Sequence, residues 1–259
     1  MGTVVHAAPA GFRQFHADFR FTVSLLAVLR AVQRHRALCA GGIRLEAELP
    51  ATQVAVALAI ERALKACPPE GSSSEASGDQ AFVETLAEVW QQMLASRHMG
   101  SDEMLFLRHC RLLERVLERI GRLADEWAGL DRERDRLVSA YSRQLPALTE
   151  ALGRIRGLCC GIAAIGHCSP FKRTRLFFQC SSAEALLVAA NQRYRETAPP
   201  IEALVARTAA ERLVHVVRAE FLRERVDYPV DDFYRLATEA IDTVFVWIDR
   251  VGDDLMGKA

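Results

Sequence analysis

Apolar residues recur at spacings of three and four along nearly the whole chain, and proline and glycine interrupt them at only a few places. That period belongs to helices with one buried face, so it limits the chain to an all-α fold. The interruptions divide it into about eight helices, at about 14–48, 51–66, 80–97, 102–129, 131–166, 169–196, 201–225 and 230–255. Gly41, Gly42 and Pro50 end the first, Pro68-Pro69 the second, and Pro199-Pro200 and Tyr228-Pro229 flank the seventh. A bend is expected near Pro146. Ser101-Asp102-Glu103 and Ser169-Pro170 read as helix starts, with a capping hydroxyl ahead of acidic residues or proline. Sustained alternation and hairpin signals are absent, so no sheet is expected.

The domain reading is a single unit, 1–259, made of two packed four-helix-bundle halves. They cover about 14–129 and 130–255, and a polar, flexible loop at 68–80 interrupts the first. Hydrophobic residues make up 50% and charged residues 25% of the chain, enough to bury a core. The 33 basic and 33 acidic side chains cancel, so no global field favours nucleic acid as a partner. The most apolar stretch, Phe19 to Ala40, contains Arg20, Arg30, Arg34 and Arg36, and no secretory leader is visible; no membrane partner and a cytoplasmic location are expected. Seven cysteines suit reduced thiols better than a disulfide framework.

Two windows stand out. Residues 31–41 read Ala-Val-Gln-Arg-His-Arg-Ala-Leu-Cys-Ala-Gly, and residues 151–161 read Ala-Leu-Gly-Arg-Ile-Arg-Gly-Leu-Cys-Cys-Gly. Both lie on long apolar helices. At about 100° per residue, Arg36 falls within the stripe Leu25, Leu29, Val32, Cys39 and Ile43, while Arg34 lies about 160° away and faces outward. Arg156 falls on the flank of the stripe Leu148, Leu152, Ile155, Cys159 and Ile162, with Arg154 on the far side. A buried guanidinium keeps its proton and requires a partner. That partner is either an acidic side chain from a neighbouring helix or an anion from solution. Glu150 is too far round its helix to serve Arg156. Two converging guanidiniums would hold a planar oxyanion through paired N–H donors.

The same residues carry a resemblance. Gln33-Arg34-His35-Arg36-Ala37-Leu38 resembles the first arginine segment of the nitrate- and nitrite-sensing (NIT) domain family, and Leu145 through Gly157 resembles its second. Phe106 through Leu113, Ala124-Asp125, and Phe233 through Asp242 agree in order and spacing. The resemblance implies paired helical bundles that clasp nitrate or nitrite between arginines of both halves. By position these are Arg36 and Arg156, with Arg34 and Arg154 as motif partners and a further arginine from the seventh helix, Arg212 or Arg218. Ala37 stands where the family usually has glycine. Family members usually carry an output module; none is recognised here, so the expectation is a sensor that signals through an unidentified output protein. Its oligomeric state is open, with a homodimer among the options.

Other features weigh less. Cys159, Cys160 and Cys168 with His167 lack structural-zinc spacing and read as core thiols, so neither metal nor cofactor is expected. Asp231-Asp232, Asp249 and Asp253-Asp254 read as caps and solvated face. Lys172, Arg173 and Arg175 read as a solvated basic face. Trp90, Trp127, Trp247 and Phe177-Phe178 read as core and seam. No nucleophile–base pair or phosphate loop is found, so a binding protein is expected and an enzyme is not. Two alternatives stay open: a ligand-free helical scaffold with a degenerate sensor fold, and a Cys/His metal or redox protein.

Overall fold

The computed structural model describes residues 10–42, 47–68, 76–96, 101–127, 132–194 and 198–257. Ile43 and residues 69–75 of the expected loop lie outside the described residues. The helices are α1 (Ala10–Ala40), α2 (Leu49–Ala66), α3 (Ala76–Ala95), α4 (Asp102–Asp125), α5 (Arg132–Ser139), α6 (Leu145–Ile165), α7 (Pro170–Asn191), α8 (Ile201–Val216) and α9 (Val230–Gly257). α5 runs into α6 through a π-helical turn, Ala140–Gln144, so among the described residues they make eight rods. The all-α expectation holds.

That π turn sits where a bend was expected. Pro146 has no N–H and its ring would crowd the carbonyl four residues back, so the widened turn before it relieves both conflicts. Ser101 Oγ accepts from the Met104 N–H at 3.3 Å, and Ser169 Oγ accepts from the Lys172 N–H at 3.3 Å, so both starts are capped as read. Gly166, in the left-handed region at φ 73°, closes α6 with its N–H on the Ile162 carbonyl at 2.8 Å.

Some boundaries differ from expectation. Residues 76–80, read as loop, already form the first turn of α3. The first helix stops at Ala40 rather than running to 48, because Gly42 takes a left-handed φ of 66°. The seventh helix ends in a π turn, Val217–Phe221, instead of reaching 225. Beyond it the backbone pairs with the α6–α7 connection: the Cys168 N–H donates to the Glu224 carbonyl at 2.8 Å and the Val226 N–H to the Gly166 carbonyl at 3.1 Å. Those peptide groups find partners outside the helix, so extending α8 would break them.

α1 packs on α2 and α4, and α3 bridges α2 and α4, which closes one four-helix bundle. α6 packs on α7 and α9, and α8 bridges α7 and α9, which closes the second. The bundles meet chiefly along α1 and α6, the two helices that carry the arginine windows. Small residues make that seam close. A Cβ built on Gly153 would lie 3.0 Å from Arg36 Nη2, and one on Gly157 only 2.7 Å from a Phe106 ring carbon. No helix among the described residues is long and apolar enough to cross a membrane.

Candidate functional site

The seam holds two arginine environments of opposite character. In the first, Arg36 of α1 donates through Nη1 to Glu150 Oε1 at 2.8 Å and through Nη2 to Glu150 Oε2 at 3.1 Å. This is a fork against a fork, and both partners are buried. Glu150 also accepts from Gln33 Nε2 at 3.1 Å and from Arg154 Nε at 2.8 Å. Arg154 reaches on to Glu114 Oε1 at 2.7 Å. Burial alone would raise the Glu150 carboxyl, but Arg36 and Arg154 outweigh it and hold it below the usual range. Two guanidiniums and two carboxylates form a locally neutral cluster. Arg36 Nη1 also lies 3.1 Å from Cys110 Sγ, and its guanidinium sits over the Phe106 ring, 5.2 Å from the centroid.

The second environment belongs to Arg156 of α6. Its exposure is 2%, and its hydrogen-bonded partner is a hydroxyl: Nη1 donates to Thr238 Oγ1 of α9 at 3.0 Å. Nε meets no acceptor, and no carboxylate lies within ion-pair distance, among the described residues. The guanidinium lies over the Tyr234 ring, 5.6 Å from its centroid. On the same tyrosine, Oη accepts from Arg34 Nε at 3.2 Å. Tyr234 is thus flanked by an arginine from each bundle. Burial pulls the Arg156 pKa down to about 10, with the Arg36 charge adding to it; Tyr234, Cys160 and Asp242 oppose the shift. Arg156 therefore stays cationic at neutral pH, buried where no described residue supplies a compensating negative charge by direct contact.

The helical geometry holds for three of the four arginines. Arg36 and Arg156 are buried, Arg34 is exposed, and Arg154 is three-quarters covered by its carboxylate contacts rather than freely solvated. Glu150 does not bond Arg156, as read, but it crosses the seam to bond Arg36. The two inward arginines thus differ: Arg36 has a protein counter-charge and Arg156 has none in contact. Of the seventh-helix candidates, Arg218 pairs with Glu184 of α7 at 2.7 Å, and Arg212 lines an open groove between α8 and α9 with Leu236 and Glu239. Neither bonds Tyr234 or Thr238 among the described residues.

Tyr234 and Thr238 lie in a segment that carried the resemblance, yet only the fold reveals them as arginine partners. Their i,i+4 spacing on α9 was the available signal. Cys159, Cys160 and Cys168 are buried and, with exposed His167, form no group of ligand-like spacing among the described residues. Burial raises the Cys160 thiol to about 12, as expected of a core thiol.

No family model and no curated protein matches the sequence. A solved structure is similar in fold: the NasR transcription antiterminator superposes with a TM-score of 0.72 over 96% of this chain and 71% of that one, at 15% identity. The two share one fold. The match to NasR includes both bundles and the α1–α6 seam between them, since it spans nearly the whole chain. At this identity it speaks for architecture and not for side chains. NasR is an antiterminator, so the match lends no support to the expectation that nucleic acid is not a partner.

Proposed function

We propose that this chain is a small-oxyanion sensor of the nitrate- and nitrite-sensing type, which binds its anion at the corner formed by Arg156, Arg34, Tyr234 and Thr238. The observation that carries this reading is Arg156: a buried cation with a hydroxyl and an aromatic face but, among the described residues, no carboxylate in contact. Desolvating a charge without a partner is expensive, and an oxyanion accepting from its N–H donors would offset that cost. The shared fold with NasR and the resemblance in the two arginine windows support the same reading. Binding, not catalysis, is the role proposed.

The corner joins α1 of one bundle to α6 and α9 of the other, so an anion held there would favour one packing of the halves over another. Arg36, neutralised by Glu150, would position the seam beside the anion, while Arg154 extends the same cluster to α4. Output would pass to a partner protein.

Calorimetric titration with nitrate, nitrite and acetate tests the proposal. Saturable binding of nitrate or nitrite, lost in Arg156→Ala, is expected. Absence of binding by every small oxyanion overturns it. One observation favours a second reading, the ligand-free scaffold: Arg36 already has an acidic partner. In that reading Arg156→Ala behaves as the parent toward all three anions.

A further inference from the structure

A second polar cluster lies in the first bundle, where α1 meets α4, and the anion proposal does not use it. His35 and Cys39 stand one turn apart on α1 and so share a face, and His109 reaches them from α4. One ligand-type atom from each lies within 4.8 Å of the others. His35 Nδ1 is 2.9 Å from His109 Nε2 and 3.6 Å from Cys39 Sγ. Both histidines are buried, Cys39 is half-buried, and the Trp90 ring closes the other side, 4.8 Å from His35 edge to face.

We propose that His35, Cys39 and His109 form a binding site for a borderline-soft transition-metal ion, with Zn²⁺ the first candidate. Two imidazoles and one thiolate, with a fourth position left to water, are a donor set that such ions take. His109 is already arranged for the role. Its Nδ1 donates to the Leu105 carbonyl at 2.8 Å, which fixes the tautomer and leaves the Nε2 lone pair turned toward His35 and Cys39.

The geometry is close to what an ion needs. With N–metal bonds of about 2.0–2.1 Å and an S–metal bond of about 2.3 Å in a tetrahedron, the N···N spacing is about 3.3 Å and N···S about 3.5 Å. The 3.6 Å contact has the right length, but Sγ lies equally far from His35 Nε2 at 3.7 Å, so the Cys39 side chain must turn toward the Nδ1 lone pair, and the 2.9 Å contact must open by a few tenths of an ångström. The protons balance. The His35 Nδ1 proton, now shared with His109, moves to Nε2 by tautomer exchange, and the Cys39 thiol proton leaves to solvent. Arg36 lies nearby, but its charge is compensated by Glu150, so a dication does not face a bare guanidinium.

Co²⁺ titration of the reduced, metal-free chain is the test. One equivalent should produce a thiolate-to-cobalt absorption band with tetrahedral d–d bands and should quench Trp90 fluorescence; Zn²⁺ should displace it. Cys39→Ser should abolish the thiolate band, and His109→Gln should weaken Zn²⁺ binding by at least ~10-fold. Cys39 is half-buried, so its variant tests the site without emptying the core, and a helical circular-dichroism spectrum verifies its fold. No band in the parent overturns the proposal. So does a band of equal intensity in Cys39→Ser, which would assign the ion to other cysteines.

Discussion

Arg36 and Glu150 meet across the seam of the two bundles through two parallel N–H···O bonds of 2.8 and 3.1 Å, with both side chains buried. This pair is the electrostatic joint of the molecule, because each partner comes from the central helix of a different half. Removing Glu150 strands the Arg36 charge in the core, whereas removing Arg36 leaves Glu150 bonded to Arg154. Glu150→Gln should therefore destabilise the fold by about 3–5 kcal/mol, and Arg36→Met by less. The double substitution should lose clearly less than the sum, since it leaves no stranded partner at this pair. Denaturant unfolding of the four proteins measures that coupling.

Gly157 is required by contact. An added Cβ would sit 2.7 Å from Phe106, whose ring is itself held between the guanidiniums of Arg36 and Arg175 at 5.2 and 5.5 Å. Gly157→Ala should lower stability by ~1–3 kcal/mol despite alanine's better helix propensity. A second substitution, Phe106→Leu, should restore part of the loss. Thermal melts of the single and double variants check both statements.

Asp18 supplies a pH dependence. Burial, then the Glu126 carboxylate, raises it to about 6; Trp127 and Gln14 oppose the shift, and Asp79 adds to it. A raised carboxyl pKa favours the protonated form in the fold, so its contribution is complete below about pH 4 and is lost as pH rises through about 6. Asp18→Asn should match the parent at pH 4 and exceed it at pH 7.5, by an amount of the order of 2 kcal/mol. Unfolding curves at the two pH values decide it; a gap that shrinks as pH rises contradicts the assignment.

The fold was largely legible in the sequence because one signal, the three-and-four period, runs through it. Boundaries were read less well where a local choice decided them. Gly42 ended α1 early, and the pairing of Cys168 with Glu224 set where α8 stops. Within the site, periodicity identified Arg36 and Arg156 as buried, since that depends only on position around a helix. It could not say what each would meet, because partners come from other helices at distant sequence positions. Glu150 illustrates the limit: sequence spacing relates it only to the arginines of its own helix, and its partner Arg36 lies 114 residues away. His35 and His109 were inside recognised segments, yet their contact depends on the α1–α4 packing and left no spacing to read.

Tyr234 links the arginines of the two halves, so it tests the corner without altering charge. Tyr234→Phe removes the acceptor for Arg34 Nε and keeps the ring beneath Arg156. Stability without nitrate should fall by about 1 kcal/mol, the worth of one hydrogen bond, and nitrate affinity should fall as well because Arg34 is no longer held at the corner. Parallel calorimetry and thermal melts separate the two effects.

Nitrate-dependent thermal stability of the parent and Arg156→Met is the sharpest test of whether the buried Arg156 cation serves an anion. Without nitrate, the methionine variant should be at least as stable as the parent, because it removes an uncompensated buried charge. Added nitrate should then raise the melting temperature of the parent in a saturable way and leave the variant unmoved. An equal nitrate response in both proteins, or none in the parent, would rule out that role for Arg156.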